Sequence, residues 1–212
     1  MATILSQAEF NARFAAALQT STYQPHHQYS VFTQYDGPSY YAPRREDFQH
    51  KYRIFAAVTR VLQPEHVLEL GTHAASGAHA YLHGAPAARY SGYDVFGSGN
   101  ISQYDGEPWQ PLKVAHALLQ DIGATFELFQ TDLRQLKTLP AADFVVVDAA
   151  HDFTNAYEDC LLALTAKPQY IWVDDYNSAE VAHAVGEAGK QADYEWWQRI
   201  DYIDCGLLIK LK

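Results

Sequence analysis

The chain has 212 residues, 48% hydrophobic and 19% charged, enough to bury one full core and to form one domain with a short N-terminal appendage. Its formal charge of −10 argues against phosphate backbones and anionic lipid surfaces as partners, and the one tight basic group, Arg44-Arg45, is too small to change that. Cys160 and Cys205 lie in apolar surroundings without CxxC or Cys/His spacing, so they read as buried thiols and indicate neither a zinc site nor a disulfide framework. Met1 to Leu18 lack a basic n-region and an apolar h-region, and no run approaches the roughly 18 apolar residues of a membrane span. The expectation is a cytoplasmic protein with neither a membrane nor a nucleic-acid partner.

Phe10, Phe14, Ala17 and Leu18 recur at helical spacing, with Ser6 and Glu9 placed as a capping box, which predicts a short amphipathic helix over 6–18. From Thr20 to Pro43 the character changes to Tyr, His, Gln, Gly and Pro without a sustained period. This stretch, with Tyr23, His26, His27, Tyr29, Phe32, Tyr35, Tyr40 and Tyr41, is too aromatic for an inert linker and is expected to pack over something as a lid. Its aromatics also suit a homodimer in which each arm covers the other subunit, and the sequence does not separate that from self-packing. Residues 1–47 are therefore set apart from a main domain over 48–212.

Phe48, Tyr52, Phe55, Ala56 and 58–62 predict a helix ending before Pro64, and Val67-Leu68-Glu69-Leu70 a short buried strand running into Gly71. Strands follow over 90–95 and 126–129, with a helix over 111–123 between them closed by a glycine. The clearest signals are Phe144-Val145-Val146-Val147 stopping at Asp148, and Tyr170-Ile171-Trp172-Val173 stopping at Asp174-Asp175. Continuous apolar runs that end on acids are what fully buried parallel strands look like when their C-terminal ends carry a site. Helices over 155–164 and 179–189 intervene, and 195–201 with 205–211 read as a closing pair of strands. The alternation implies an open α/β, doubly wound, mostly parallel sheet with an antiparallel edge.

Three constellations carry chemistry. In Glu69-Leu70-Gly71-Thr72-His73-Ala74-Ala75-Ser76-Gly77, glycine lets the backbone approach a ligand and the following helix start offers free N–H donors. An acid before the glycine is a poor companion for a pyrophosphate and a good one for an ammonium group, which favours an amino-acid-bearing cofactor over a dinucleotide. Asp94, 25 residues beyond Glu69, falls where such sheets meet ribose hydroxyls, although alone it reads equally well as a solvated turn. Asp132 could reach an adenine or simply cap the next turn. Finally, Asp148, Asp174 and Asp175 at adjacent strand ends would repel one another unless a cation lay between them, and Mg²⁺ with open positions for substrate hydroxyls suits that gap. Beside them His151 is placed to act as general base, the alternative being a loop histidine next to helix-capping aspartates.

With these residues assembled, the sequence resembles the class I S-adenosylmethionine (SAM)-dependent methyltransferases, and within them the metal-dependent small-molecule O-methyltransferases of the macrocin and catechol type. The resemblance covers about 48–212. Glu69-Leu70-Gly71-Thr72 looks like the family's first motif, Asp94 its ribose-binding acid, Asp148-Ala149-Ala150-His151-Asp152 the fourth-strand motif of the macrocin branch, and Asp174-Asp175-Tyr176 its paired acids after the fifth strand. It implies a Rossmann-like seven-stranded sheet with an antiparallel C-terminal edge strand. It also implies SAM held by Glu69, Gly71, Thr72, Ser76, Gly77, Asp94, Asp132 and Asp148, Mg²⁺ held by Asp148, Asp174 and Asp175, and His151 as catalytic base. Two departures stand out: Ala75 occupies the place of the usual later glycine, and the catalytic lysine of catechol-type members has no counterpart after Asp148.

The implied reaction is methyl transfer from SAM to a hydroxyl of a small polyhydroxylated or phenolic metabolite. A catalytically silent SAM-binding scaffold of the same fold is the alternative. A nicotinamide oxidoreductase is disfavoured, because GxGxxG is absent and Glu69 precedes the loop glycine.

Overall fold

The apolar runs of the sequence pair into one sheet whose centre is buried from both sides. The computed structural model describes residues 5–24, 45–97, 103–104, 107–108 and 110–212. In chain order the elements are α1 (Gln7–Gln19), α2 (Arg45–Leu62), β1 (His66–Leu70), α3 (Ser76–Gly84), β2 (Arg89–Asp94), a small hairpin of β3 (Gln103–Tyr104) and β4 (Glu107–Pro108), α4 (Pro111–Asp121), β5 (Thr125–Gln130), β6 (Phe144–Val147), α5 (Phe153–Thr165), β7 (Tyr170–Val173), α6 (Ala179–Ala188), β8 (Tyr194–Ile200) and β9 (Gly206–Leu211). The large sheet has seven strands in the order β5-β2-β1-β6-β7-β9-β8. Pairings from β5 to β7 are parallel, while β9 runs antiparallel to both β7 and β8.

This is the expected doubly wound sheet, with one refinement at its far side. The last strand, β9, is antiparallel but lies one place in from the edge, and β8 forms the edge itself. Composition explains the swap: Gly206-Leu207-Leu208 is buried, whereas β8 alternates and leaves Tyr194 and Trp197 half exposed. The more apolar strand takes the covered position.

Side chains alternate across the sheet and sort into two cores. Val67, Phe144, Val146, Tyr170 and Trp172 face α1, α2 and α3. Leu68, Leu70, Val145, Val147, Ile171 and Val173 face α5 and α6. This parity also aims the groups that follow each strand, because a residue two places beyond Val146 or Trp172 continues toward α2.

At the N-terminus, Ser6 and Glu9 form the expected capping box: the Glu9 amide donates to the Ser6 hydroxyl at 3.3 Å and the Ser6 amide to the Glu9 carboxylate at 3.0 Å. Phe10 is fully buried with its ring 5.4 Å from that of Trp196, whose indole N–H donates to the Leu5 carbonyl at 3.1 Å. α1 is thus packed onto β8 as part of the main body. The expected division at 47/48 falls inside α2, which begins at Arg45. Of the aromatic stretch read as a lid, residues 20–24 are described, and Tyr23 is buried with its hydroxyl 2.7 Å from His79 Nδ1. His26, His27, Tyr29, Phe32, Tyr35, Tyr40 and Tyr41, and with them the lid and the dimer arm, lie outside the described residues, as does Arg44. Among the described residues no helix is long and apolar enough to cross a membrane.

Candidate functional site

Strand register builds the site. Leu70 pairs with Tyr93 and Val147, and Val147 with Val173, so the strands end in one row. The ladder continues one residue further: Gly71 N–H donates to Tyr93 O at 2.9 Å, Asp148 N–H to Leu70 O at 2.9 Å, and Asp174 N–H to Val147 O at 3.0 Å. Gly71, Asp94, Asp148 and Asp174 therefore share the C-terminal edge of the sheet, where open α/β folds bind their ligands.

The half around β1 and β2 is assembled from local backbone. Gly71 has φ +96°, and a Cβ there would lie 1.9 Å from the Asp148 carbonyl oxygen, so only glycine fits between the two loops. Asp94 accepts from the His73 amide at 2.8 Å and from the Phe96 amide at 2.5 Å, which fixes its carboxylate against the glycine loop. Ala75 adopts the left-handed conformation, φ 62°, at the N-cap of α3. That geometry explains why a glycine is the natural residue there, and the alanine reaches it at some strain. Ser76 and Gly77 begin α3, whose first amides are free to donate. A Cβ on Gly77 would come 2.7 Å from Glu69 Oε1, so this glycine leaves room for the acid.

Glu69 is buried in β1 and accepts a hydrogen bond from the Tyr90 hydroxyl, which lies 3.0 Å from Thr72 Oγ1. Burial pushes its carboxyl up to about 8, with the Tyr90 hydrogen bond only partly offsetting. A cationic ligand beside it would restore the charged form. Asp132 stands apart. It is exposed after β5, and its side chain accepts from the Arg134 amide at 2.9 Å, so its observed work is capping a turn of 3-10 helix.

The half around β6 and β7 depends on partners far away in the chain. Asp148, His151 and Asp175 each offer one ligand atom, all within 4.8 Å of one another. Ligands sharing one ion at bonds of about 2.0–2.5 Å lie that close, so these residues fit a divalent cation. Burial and the nearby Asp174 raise the Asp148 carboxyl well above the usual range, as expected of an acid awaiting a positive neighbour. His151, just ahead of the Asp152 cap of α5, places Nε2 2.8 Å from Asp175 Oδ2. That hydrogen bond raises the imidazole above its ordinary value against the opposing effect of burial.

Asp174, expected as a ligand together with Asp148 and Asp175, lies close enough to Asp148 to raise its carboxyl and also meets groups from other parts of the chain. Its parity with Trp172 aims it toward α2, where Lys51 Nζ lies 2.6 Å from Oδ2 and the Tyr202 hydroxyl donates to Oδ1. Asp175, next along, turns to φ 52° and meets His151 instead. Lys51 also reaches Asp204 at 3.1 Å. Burial opposes its charge, but Asp174, Asp148 and Asp204 override that and hold the ammonium well above its normal pKa. Lys51, Tyr202 and Tyr90 were not anticipated from sequence. For Lys51 a signal existed: a lysine set among Phe48, Tyr52 and Phe55 on the apolar stripe of a helix, where a charge needs a buried partner.

The strand order and the helices on both faces make a Rossmann-like fold, with the glycine loop and the acids on its C-terminal edge. No protein-family model and no curated protein sequence matches the chain. Solved structures do. The chain is similar to the O-methyltransferase TomG from Streptomyces achromogenes, involved in tomaymycin synthesis and solved with SAM, with a TM-score of 0.60 at 16% identity over 99% of this chain and 100% of that one. It is also similar to a methyltransferase from Podospora anserina solved with S-adenosylhomocysteine, with a TM-score of 0.57 at 13% identity over 100% of both chains. An O-methyltransferase from Bacillus cereus with the same ligand gives a TM-score of 0.56 at 13% identity over 96% of this chain and 100% of that one.

Proposed function

We propose that this chain transfers a methyl group from SAM to a hydroxyl of a small polyhydroxylated or phenolic metabolite. The observation that carries the reading is the common sheet edge, where a glycine loop braced by Asp94 stands beside an Asp148, His151 and Asp175 group. SAM, when bound, supplies an electrophilic methyl carbon. A divalent ion such as Mg²⁺, when bound, lowers the pKa of an acceptor hydroxyl and orients it.

The chain's own residues divide the remaining work. Gly71 offers backbone approach, Thr72, Ser76 and Gly77 offer amides to a carboxylate, Glu69 a buried acid to an ammonium, and Asp94 an acceptor to ribose hydroxyls. Asp132, capping the turn after β5, would serve the adenine end through that turn. Asp148 and Asp175 hold the ion as two carboxylates, which suits a metal that keeps several waters. Because a carboxylate only accepts, Asp175 fixes the proton of His151 on Nε2 and leaves Nδ1 to take the acceptor's proton.

The test is methyl transfer from labelled SAM to a panel of catechols and polyols, with and without Mg²⁺, for the wild type and His151→Ala. The variant is expected to lose about 10²- to 10⁴-fold in kcat/KM while keeping SAM and metal affinity. Unchanged turnover would remove His151 from the chemistry, and an equal fall in metal affinity would make it a ligand. SAM binding without transfer to any acceptor would favour the silent scaffold.

A further inference from the structure

A buried hydroxyl lies unpaired beneath the glycine loop. Tyr81, on α3, has 1% of its surface exposed, and among the described residues its hydroxyl has no hydrogen-bond partner. The ring cannot swing to find one, because it stacks on Phe55 at 5.1 Å and 24° and meets Phe144 edge-on at 6.1 Å and 82°. Helical side chains lean toward the start of their helix, and here that brings the hydroxyl under Gly77. A Cβ on Gly77 would lie 2.7 Å from Glu69 Oε1 and 3.4 Å from the Tyr81 oxygen, so the two oxygens flank one point below the first turn of α3. Glycine at 77 keeps that point clear.

An unpaired buried hydroxyl costs stability, and a ligand group that completes it is one reason for a fold to keep it. The surroundings set the charge of that group. Burial, and then Glu69, Asp148 and Asp174, hold the Tyr81 hydroxyl protonated well above its ordinary value. Lys51 pairs with Asp174 and Asp204, and among the described residues no cation pairs with Glu69. A carboxylate entering beside these acids would be repelled, whereas an ammonium would be drawn in and could donate to the tyrosine oxygen.

We propose that Tyr81 is a further cofactor-binding residue, whose hydroxyl oxygen accepts from the ammonium of the methyl donor's amino-acid end, across from Glu69. The inference rests on the SAM reading above and adds a second side-chain partner to that ammonium. Tyr81 and Glu69 then fix the amino-acid end from two sides, which steadies the direction in which the methyl group is presented.

Calorimetric titration of the wild type and Tyr81→Phe tests this with three ligands: SAM, decarboxylated SAM, which keeps the ammonium without the carboxylate, and methylthioadenosine, which has neither. The variant removes one hydroxyl and keeps the ring. It is expected to bind SAM and decarboxylated SAM about tenfold more weakly, as a hydrogen bond to a charged group is lost, and methylthioadenosine within about twofold of wild type. Thermal unfolding without ligand supplies the second readout. There Tyr81→Phe should melt no lower than the wild type, because the hydroxyl has no partner to lose. A lower melting temperature without ligand, or equal losses for all three ligands, would make Tyr81 a structural group and overturn the proposal. A loss for SAM with decarboxylated SAM unaffected would give the hydroxyl to the carboxylate and overturn it too. A wild type that binds none of the three would take down the SAM reading and this inference together, whereas tight wild-type binding left unchanged in Tyr81→Phe sinks this inference alone.

Discussion

The two halves of the candidate site are built differently. Around β1 and β2, backbone contacts do the work: Gly71 threads past the Asp148 carbonyl and Asp94 is held by amides from residues 73 and 96. Around β6 and β7, the acids take their roles from Lys51, more than a hundred residues upstream of Asp174 in the chain, and from Tyr202 downstream of it. A half made of backbone contacts tolerates side-chain changes elsewhere in the fold. A half made of buried charge fails when any one partner is removed.

The sharpest way to break that contrast is Lys51→Ala without added metal. It leaves the buried Asp174 carboxylate uncompensated, and losing one partner of such a pair costs about 3–5 kcal/mol. Urea unfolding measures it, and a loss below about 1 kcal/mol, the size of an exposed pair, would place the second half on the same footing as the first.

Next in size is the pH dependence contributed by Glu69. Its carboxyl ionises near its ordinary value when unfolded and at about 8 when folded, so the folded state holds the extra proton between those limits. Its contribution to stability is complete below the unfolded pKa and is lost as pH rises through about 8. Glu69→Gln, which cannot ionise, should gain stability relative to wild type by up to a few kcal/mol as pH climbs through this window. A constant difference between the two proteins across the window would show that Glu69 stays ionised in the folded chain.

The smallest effect belongs to Ala75→Gly. Relief of left-handed strain is worth about 1–2 kcal/mol, but a buried methyl worth about 0.8 kcal/mol and the backbone entropy of glycine, about 0.5–1 kcal/mol, act against it. The net change in thermal unfolding should stay within about 1 kcal/mol. A larger loss would mean that the methyl group itself braces the loop.

The same contrast explains what could be read from the sequence. Val145 to Val147 stopping at Asp148, and Ile171 to Val173 stopping at Asp174, announce buried parallel strands and their acidic ends, because burial and strand termination are local properties. The capping box at Ser6 and the loop at Gly71 were legible for the same reason. The partners of Asp174 and Asp175 were not. Asp174 and Asp175 are adjacent, and strand alternation sends neighbours to opposite sides, so one faces α2 and the other, after a turn through positive φ, faces His151. Which acid meets the lysine is a matter of helix placement, and no spacing within the acidic motif encodes it. The place of β9 inside β8 likewise follows from relative burial across the sheet and not from the order of elements.

The most direct test of the central claim is calorimetric titration of SAM into the wild type and into Asp94→Ala. The account predicts saturable one-to-one binding to the wild type, weakened about tenfold or more in the variant as a charged hydrogen-bond acceptor is lost. Absence of SAM binding, or equal affinity in both proteins, would contradict it.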